Sequence, residues 1–573
     1  MIQKAAIFFC IFACAYLHPA TAKADAESEA SGITQKVGHQ IESRLSAGDQ
    51  SRRFVCQGET ICGLKLIPLF YRERGFAPAW MNDRKLRPKA RILIQTLQKA
   101  FQDGLDPQDY HTIAIAETLA MLTNASDLSI QTQAEYWADL DLLLTDAFLL
   151  LGMHLAGGRI DPETLHPDWL VSERSIDLLP LLHTALDINR LEHALERLRP
   201  AHRGYLGLRK ALLRLRDLRL QGGWPPIAIG PVLRPGNVDP RVAALRRRLE
   251  LSGDIEPGGV PQAPTRYAGT LVDAVKRFQA RHGLTPDGSV GPKTRNALNV
   301  PIDKRIRQIE LNLERWRWLP HDLGHRHIVV NTADFSLEVV EGDDQVLKMR
   351  VVVGRPARRT PVFSSKIAYM EFNPYWNVPR TIAVQDILPK LVSGTDYLSR
   401  QHIRVFTDWT ESAKEIDPQA VNWTHYNETY FPFRLRQDPG PYNALGRIKF
   451  IFPNRFAVYL HDTPQRTQFN FKQRDFSSGC IRLENAQALA AYLLNGEPAA
   501  GTKAIAPILR SGKRRVVRIP NPIPVHLIYM TAWVDAGSRL QFRNDIYHRD
   551  RDLNSALKQR PPDPPPPLAT KQK

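Results

Sequence analysis

Cys480 lies in the run Phe476-Ser477-Ser478-Gly479-Cys480-Ile481-Arg482, nineteen residues after His461, which ends the alternating stretch Phe456-Ala457-Val458-Tyr459-Leu460-His461. A thiol with an ordinary pKa of roughly 8.5 is mostly protonated at neutral pH, so a cysteine that acts as a nucleophile needs a base such as imidazole beside it. Period-2 alternation puts Phe456, Val458 and Leu460 on one face of a strand and Ala457, Tyr459 and His461 on the other. Two serines and a glycine before Cys480 suit a tight turn. There the backbone N–H groups of Ser478, Gly479 and Cys480 can converge on a developing oxyanion, since Gly479 tolerates conformations closed to other residues. The plain alternative makes Cys480 a small buried apolar residue and His461 an ordinary strand end.

These residues need a framework. Runs rich in Val, Ile and aromatic residues at 327–331, 336–340, 346–354, 366–372, 448–452 and 455–461, with a later one at 524–534, predict a mixed β-sandwich. A helix is predicted over 485–494, five residues past the thiol, so Cys480 falls on a loop between elements. Between Asn377 and Leu445 the β-pattern lapses into an aromatic-dotted insertion with Trp409, Trp423, Tyr426 and Tyr430, which pack in a small core or meet substrate. Ahead of the strands, Ile302, Ile306, Ile309, Leu313 and Trp316 mark one stripe of an amphipathic helix. Residues 51–225 read as mostly helical, and 236–300 as three short helices punctuated by Gly283, Asp287-Gly288 and Gly291-Pro292.

At 573 residues, 43% of them hydrophobic, the chain is long enough for several packed domains, and the class expected is multidomain α+β. Residues 1–24, with Lys4, an apolar run from Ala5 to Leu17 and small residues at 20–24, have the pattern of a cleavable export signal; an uncleaved anchor is the alternative. A polar Ser/Ala-rich linker is expected over 25–50 and a Pro-rich extended tail over 551–573. The formal charge of +18 becomes +17 once Met1–Ala22 with its one lysine is removed. Such a charge favours polyanions, and export turns the choice from nucleic acid to wall polymers and anionic headgroups. Beyond Cys10 and Cys14 in the signal, Cys56 and Cys62 are near enough in sequence for a small disulfide loop, or stay reduced; the pairing would leave Cys480 alone. No Cys-x-x-Cys metal spacing occurs, and the chemistry requires neither metal nor cofactor.

The stretch His461-Asp462-Thr463-Pro464 followed by Ser477-Ser478-Gly479-Cys480-Ile481-Arg482 resembles the active-site signature of the L,D-transpeptidases, thiol enzymes of the bacterial cell wall. Ser478 stands where the commoner form has histidine, as in the large periplasmic Gram-negative type. The resemblance implies that His461 is the base of Cys480 and that Asp462 orients the imidazole, by its carbonyl or its carboxylate. It implies that Arg482 clamps a substrate carboxylate, with a loop-bracing salt bridge as the alternative. Trp376, in Asn373-Pro374-Tyr375-Trp376-Asn377-Val378-Pro379, also matches the family text, and Tyr459 lines the pocket or packs beneath it.

The catalytic domain is expected over 321–550, with the 377–445 insertion as its cap and 301–320 as a connecting helix. Phe278–Leu284 with Gly291–Thr294 is similar to a three-helix peptidoglycan-binding module, here over 236–300, which either binds glycan or serves as a spacer. Tyr71–Phe76 and Gly104–Pro107 resemble the scaffold domain of the same enzymes, placed at 51–225. The implied activity is 3-3 cross-linking of peptidoglycan by acyl transfer from a tetrapeptide stem with release of D-Ala, in the periplasm, and acylation by carbapenems. An L,D-carboxypeptidase of the same architecture and a non-catalytic wall-binding scaffold are the alternatives. The expected partners are stem peptides and glycan, with lipoproteins and other wall-synthesis enzymes left open.

Overall fold

The computed structural model describes residues 19–46, 54–63, 65–124, 127–170, 176–187, 190–256, 263–394, 396–495 and 502–559, with backbone alone at 19–31, 495 and 502–504. Most of the export signal and the run Pro564–Pro567 thus lie outside the described residues. The chain divides into two compact units, one drawn from residues up to 101, 105–153 and 176–198, the other from 102–104, 154–175 and 199 onward.

In the first unit, the expected linker is instead the end of a helix, Pro19–Ser46. Its composition is polar, yet Ile33, Val37 and Ile41 recur every four residues and are fully buried, a helical stripe that overrides the linker reading. Helix Ile130–Gly157 carries inward carboxylates that fasten the surrounding loops. Asp141 accepts from Tyr71 Oη at 2.6 Å and from the amides of Ala79 and Trp80 at 2.8 Å, and Asp146 accepts from Gly63 N at 2.6 Å and faces His111 Nε2 at 2.8 Å.

The expected disulfide does not form. Strands Phe54–Cys56 and Glu59–Ile61 make a hairpin in which Cys56 faces Glu59 and Phe54 faces Ile61, so Cys62 continues past the opposite end of the ladder. Three residues of strand separate the two positions along the ladder, about 10 Å, beyond the roughly 7 Å that a disulfide spans. Both are thiols; Cys62 Sγ donates to Thr60 O at 3.6 Å, and burial pushes the Cys56 thiol up.

In the second unit, helices Arg241–Leu251, Thr270–Arg281 and Pro292–Leu298 enclose a core of Val242, Leu245, Leu249, Leu271, Val275 and Phe278. The punctuation read from sequence is in place: Leu284 N donates to Gln279 O at 2.8 Å to close the turn at Gly283. This module is packed rather than tethered, with His282 stacked at 5.5 Å on Phe542 and Arg543 Nη1 donating to Arg281 O at 2.9 Å.

The connecting helix, α1 (Ile302–Arg317), buries Ile302, Ile306, Ile309 and Leu313 as its stripe requires, against Tyr205, Leu208 and Leu212 of helix Arg203–Leu220. After it come β1 (Arg326–Asn331), β2 (Ser336–Glu341), β3 (Asp344–Gly354), β4 (Phe363–Phe372), β5 (Ile448–Ile451), β6 (Leu460–His461), β7 (Asp475–Ser477), β8 (Ile481–Leu483) and β9 (Arg515–Ile528). They form one sheet in the order β7-β3-β8-β6-β5-β4-β9-β1-β2, and a further β2–β3 pairing joins its two layers into a closed ring. Val330, Leu337, Val351, Met370, Phe450, Leu460, Ile481 and Val525 fill the interior with helix α2 (Ala486–Asn495), as expected for a mixed β domain.

Three local readings change. Only Leu460–His461 of the expected 455–461 strand pairs in the sheet. The side chain of Asn454 binds the backbone of Phe456 and Val458, at 2.8–3.1 Å, and Ala457 has φ +53°, so an Asx-type turn displaces the ladder. The late strand read at 524–534 is the end of a longer β9 and a separate strand, Ala532–Val534. The tail does not start at 551: helix Arg549–Leu557 buries Leu553 in the catalytic core, and Arg549 pairs with Asp168 at 2.5 Å.

The 377–445 insertion has its own four-stranded sheet, which Trp376–Asn377 edges. Its core holds Val378, Leu388, Val405, Phe431, Phe433 and Leu435, with Trp423 and Tyr426 packed against it, while Trp409 and Tyr430 are exposed.

Candidate active site

The site is built by two short parallel strands, β6 and β8, joined by the stretch that ends in the thiol turn. Leu460 of β6 registers with Ile481 of β8 and His461 with Arg482, and Ile481 N donates to Tyr459 O at 3.1 Å. Leu460 and Ile481 point into the sheet interior. Alternation then sends Tyr459, His461, Cys480 and Arg482 to the other face, so the thiol is across from Tyr459 and the imidazole is its diagonal neighbour one rung on. The antiparallel neighbour β5 adds Lys449, directly opposite His461, and β4 adds Glu371 opposite Lys449.

His461 is buried and donates from Nδ1 to the backbone carbonyl of Asp462 at 2.5 Å. Of the two possibilities read from sequence, it is the carbonyl that meets the ring. The Asp462 carboxylate is turned away, accepting from Arg447 N at 2.9 Å and pairing with Arg466 at 3.4 Å. With Nδ1 holding the proton, Nε2 is left as the basic nitrogen. Burial, then Arg482 and Lys449, push the His461 pKa down to about 3 against the pull of the Asp462 carbonyl. Burial pushes the Cys480 thiol up, while the Tyr459 backbone, Lys449 and Arg482 draw it down. Both net shifts favour the neutral pair, thiol and imidazole, at rest.

The turn before Cys480 corrects one expectation. Gly479 has φ +116°, as a glycine turn requires, but its N–H donates to Ser477 Oγ at 3.1 Å and is occupied in holding the turn. Ser477 Oγ in turn donates to Cys480 O at 2.5 Å, and Thr360 Oγ1 donates to Gly479 O at 2.8 Å. Ser478 Oγ accepts from Arg358 Nη1 at 3.0 Å, and Arg358 pairs with Asp386 of the cap. Ser477 was readable as a local Ser-turn; Arg358 and Thr360, from the connection after β3, and Lys449, from β5, carry no local signal.

Arg482 is largely buried and donates to two neutral side chains, Gln465 Oε1 at 2.7 Å and Gln468 Oε1 at 2.8 Å, and burial lowers its pKa. Its bracing partners are therefore amides, and the expected alternative of a loop-bracing salt bridge is not what this geometry contains. Tyr459 and Trp376 line one pocket of about 250 Å³ together with Glu371, Tyr375, Asn377, Leu445, Lys449 and Arg514. Tyr459 has its ring 5.7 Å from that of His461 and under the Lys449 ammonium, 4.0 Å from Nζ to the centroid.

Residues 325–504 match the family model for the L,D-transpeptidase catalytic domain, 238–298 that of a "putative peptidoglycan binding domain" and 65–212 that of a scaffold domain. A curated "Putative L,D-transpeptidase" of Haemophilus influenzae is 36% identical over 260 residues, 45% of this chain and 51% of that protein. The chain thus spans about half the length of the curated relative it matches. Among solved structures, the L,D-transpeptidase (residues 123–326) of Xylanimonas cellulosilytica is 15% identical, covering 53% of this chain and 100% of that one, with a TM-score of 0.18. An L,D-transpeptidase of Stackebrandtia nassauensis is 13% identical, covering 53% and 96%, with a TM-score of 0.21. By the family-model matches, the chain carries an L,D-transpeptidase catalytic domain, preceded by a scaffold domain and a peptidoglycan-binding module.

Proposed function

We propose that this protein is a cysteine L,D-transpeptidase that cross-links peptidoglycan stems in the periplasm. The observation that carries this reading is the shared face of β6 and β8: Cys480 and His461 are diagonal neighbours there, with the imidazole tautomer set by the Asp462 carbonyl.

His461 Nε2 takes the Cys480 proton as the sulfur attacks the carbonyl between the third stem residue and the following D-Ala. The resting pair is neutral, so the proton moves as the bond forms and no charge has to be stored in a buried site beforehand. The backbone amides of Ser478 and Cys480 are the candidates for the oxyanion, Gly479 N being committed to Ser477. His461 returns the proton to the leaving D-Ala amine, leaving a thioester. A side-chain amine of a second stem then gives up a proton to His461 and attacks the thioester, releasing the thiol. Arg482 offers its guanidinium to a substrate carboxylate, and Trp376 and Tyr459 wall the approach. The cap excludes water while the thioester waits for an amine; water in its place would give tripeptide, the carboxypeptidase outcome. The module over 236–300 is proposed to hold the enzyme on glycan, and the leading segment to direct export.

The test uses disaccharide-tetrapeptide and mass analysis of products. Cross-linked dimers and free D-Ala are expected from the wild type, and neither from Cys480→Ala or His461→Ala. Turnover persisting in Cys480→Ala overturns the thiol mechanism, and tripeptide monomers alone assign the carboxypeptidase.

A further inference from the structure

A row of charge crosses the active face of the sheet, and one member of it has no part in the mechanism above. Lys449 projects from β5 directly opposite His461, and its ammonium caps the Tyr459 ring at 4.0 Å. Tyr459 is in turn the residue across from Cys480 on the neighbouring strand. Glu371 on β4 faces Lys449 across the ladder and draws its ammonium up, while sharing its carboxylate with Arg514, which hydrogen-bonds it. Lys449 is half-buried, with its positive charge kept against the face of Tyr459, the ring beside the thiol.

We propose that Lys449 is a positioning residue for Cys480: its ammonium, propped on Tyr459, supplies the fixed positive potential against which the thiolate forms, while His461 only relays the proton. This rests on Cys480 being the nucleophile. The division of labour follows from the burial of His461, because an imidazole kept neutral at rest cannot itself supply the counter-charge before the proton moves. The groups facing the sulfur are Lys449 from β5, Tyr459 and His461 from β6, and Arg482 from β8; Arg482 is tied to Gln465 and Gln468 and is the second cation. The electrostatics agree: Lys449 draws the Cys480 thiol down, and Glu371 and then Cys480 draw the Lys449 ammonium up, against the burial that lowers it.

The experiment follows alkylation of Cys480 by iodoacetamide in the full-length protein from neutral to alkaline pH, scored on the Cys480 peptide so that Cys56 and Cys62 do not contribute. Lys449→Met is expected to raise the pH midpoint by about one unit, since an opposite charge within about 4–6 Å of a titrating group shifts it by one to three. Lys449→Arg, which keeps the charge, is expected to restore the wild-type midpoint. Superimposable profiles for wild type and Lys449→Met, at equal melting temperature, overturn the proposal. Where the Met variant melts lower, Lys449→Gln takes its place with the same two readings. Failure of the underlying mechanism is read separately, as turnover surviving in Cys480→Ala.

Discussion

A Cβ on Gly446 would stand 2.6 Å from the carboxylate of Asp462, the residue whose carbonyl holds His461. Gly446 has φ +61°, and the next amide, Arg447 N, donates to that same carboxylate at 2.9 Å, so the loop leaving the cap is moulded around Asp462. Gly446→Ala combines left-handed strain with this collision. The variant is expected to lose about 1–2 kcal/mol of stability, measured by urea denaturation, and to lose kcat with KM little changed, because the displaced carbonyl no longer fixes the imidazole.

Acid is expected to destabilise the protein through its buried histidines. Burial pushes His461 and His154 down to about 3, and His166 and His526 to about 4. The unfolded histidine value is near 6.5, so below it the unfolded chain binds protons that the folded chain refuses. Stability is therefore full above about pH 6.5 and falls as pH drops toward the folded values, by up to about 1.4 kcal/mol per pH unit for each such histidine. Denaturation midpoints across that window check the slope, and His461→Gln is expected to flatten it by one proton. A midpoint that does not move between about pH 6.5 and 4 contradicts this assignment.

Arg482 is a cation held by amides, which makes its stability and activity separable. Arg482→Met removes a partly desolvated charge and is expected to leave the melting temperature unchanged or raised. Loss of its charge-assisted contact to substrate is expected to lower kcat/KM by about tenfold or more. Arg482→Lys, lacking the fork, is expected to recover only part of it. Full activity in the Met variant would remove Arg482 from substrate recognition.

Asp386 couples the cap to the thiol turn. It lies in the irregular helical segment Ala383–Ile387 and pairs with Arg355 at 2.9 Å and with Arg358, which also donates to Ser478. Burial opposes ionisation of Asp386, but the two guanidinium groups outweigh it and hold the carboxyl below its ordinary range. Asp386→Asn is expected to change global stability by less than about 1 kcal/mol, the pair being partly exposed. Limited proteolysis within 377–445 should nevertheless become faster, and KM should rise, as the cap loosens. Unchanged proteolysis would mean that other contacts seat the cap.

Much of the site was legible in one dimension. Period 2 put Tyr459 and His461 on one face and Leu460 on the other, and a pocket wall and core residue result. The glycine before Cys480 marked a turn, and it takes φ +116°. The stripe of α1 was readable as well, because burial follows 3.6-residue spacing wherever a helix packs. Local side-chain chemistry defeated some readings: Asn454 shortens the strand before His461, and the hairpin register separates Cys56 from Cys62.

The sequence by itself determined which side chains could react, which face of its own strand each occupies and where the chain turns, since these depend on residues a few positions apart. Tertiary structure alone decided that β6 runs beside β8 and β5, and so that Lys449 stands opposite His461, that the Asp462 carbonyl rather than its carboxylate meets the ring, and that Arg358 reaches Ser478. Strand adjacency and register come from hydrogen bonds and buried side chains contributed by segments over a hundred residues apart, such as β3 and β8, and no local spacing encodes them.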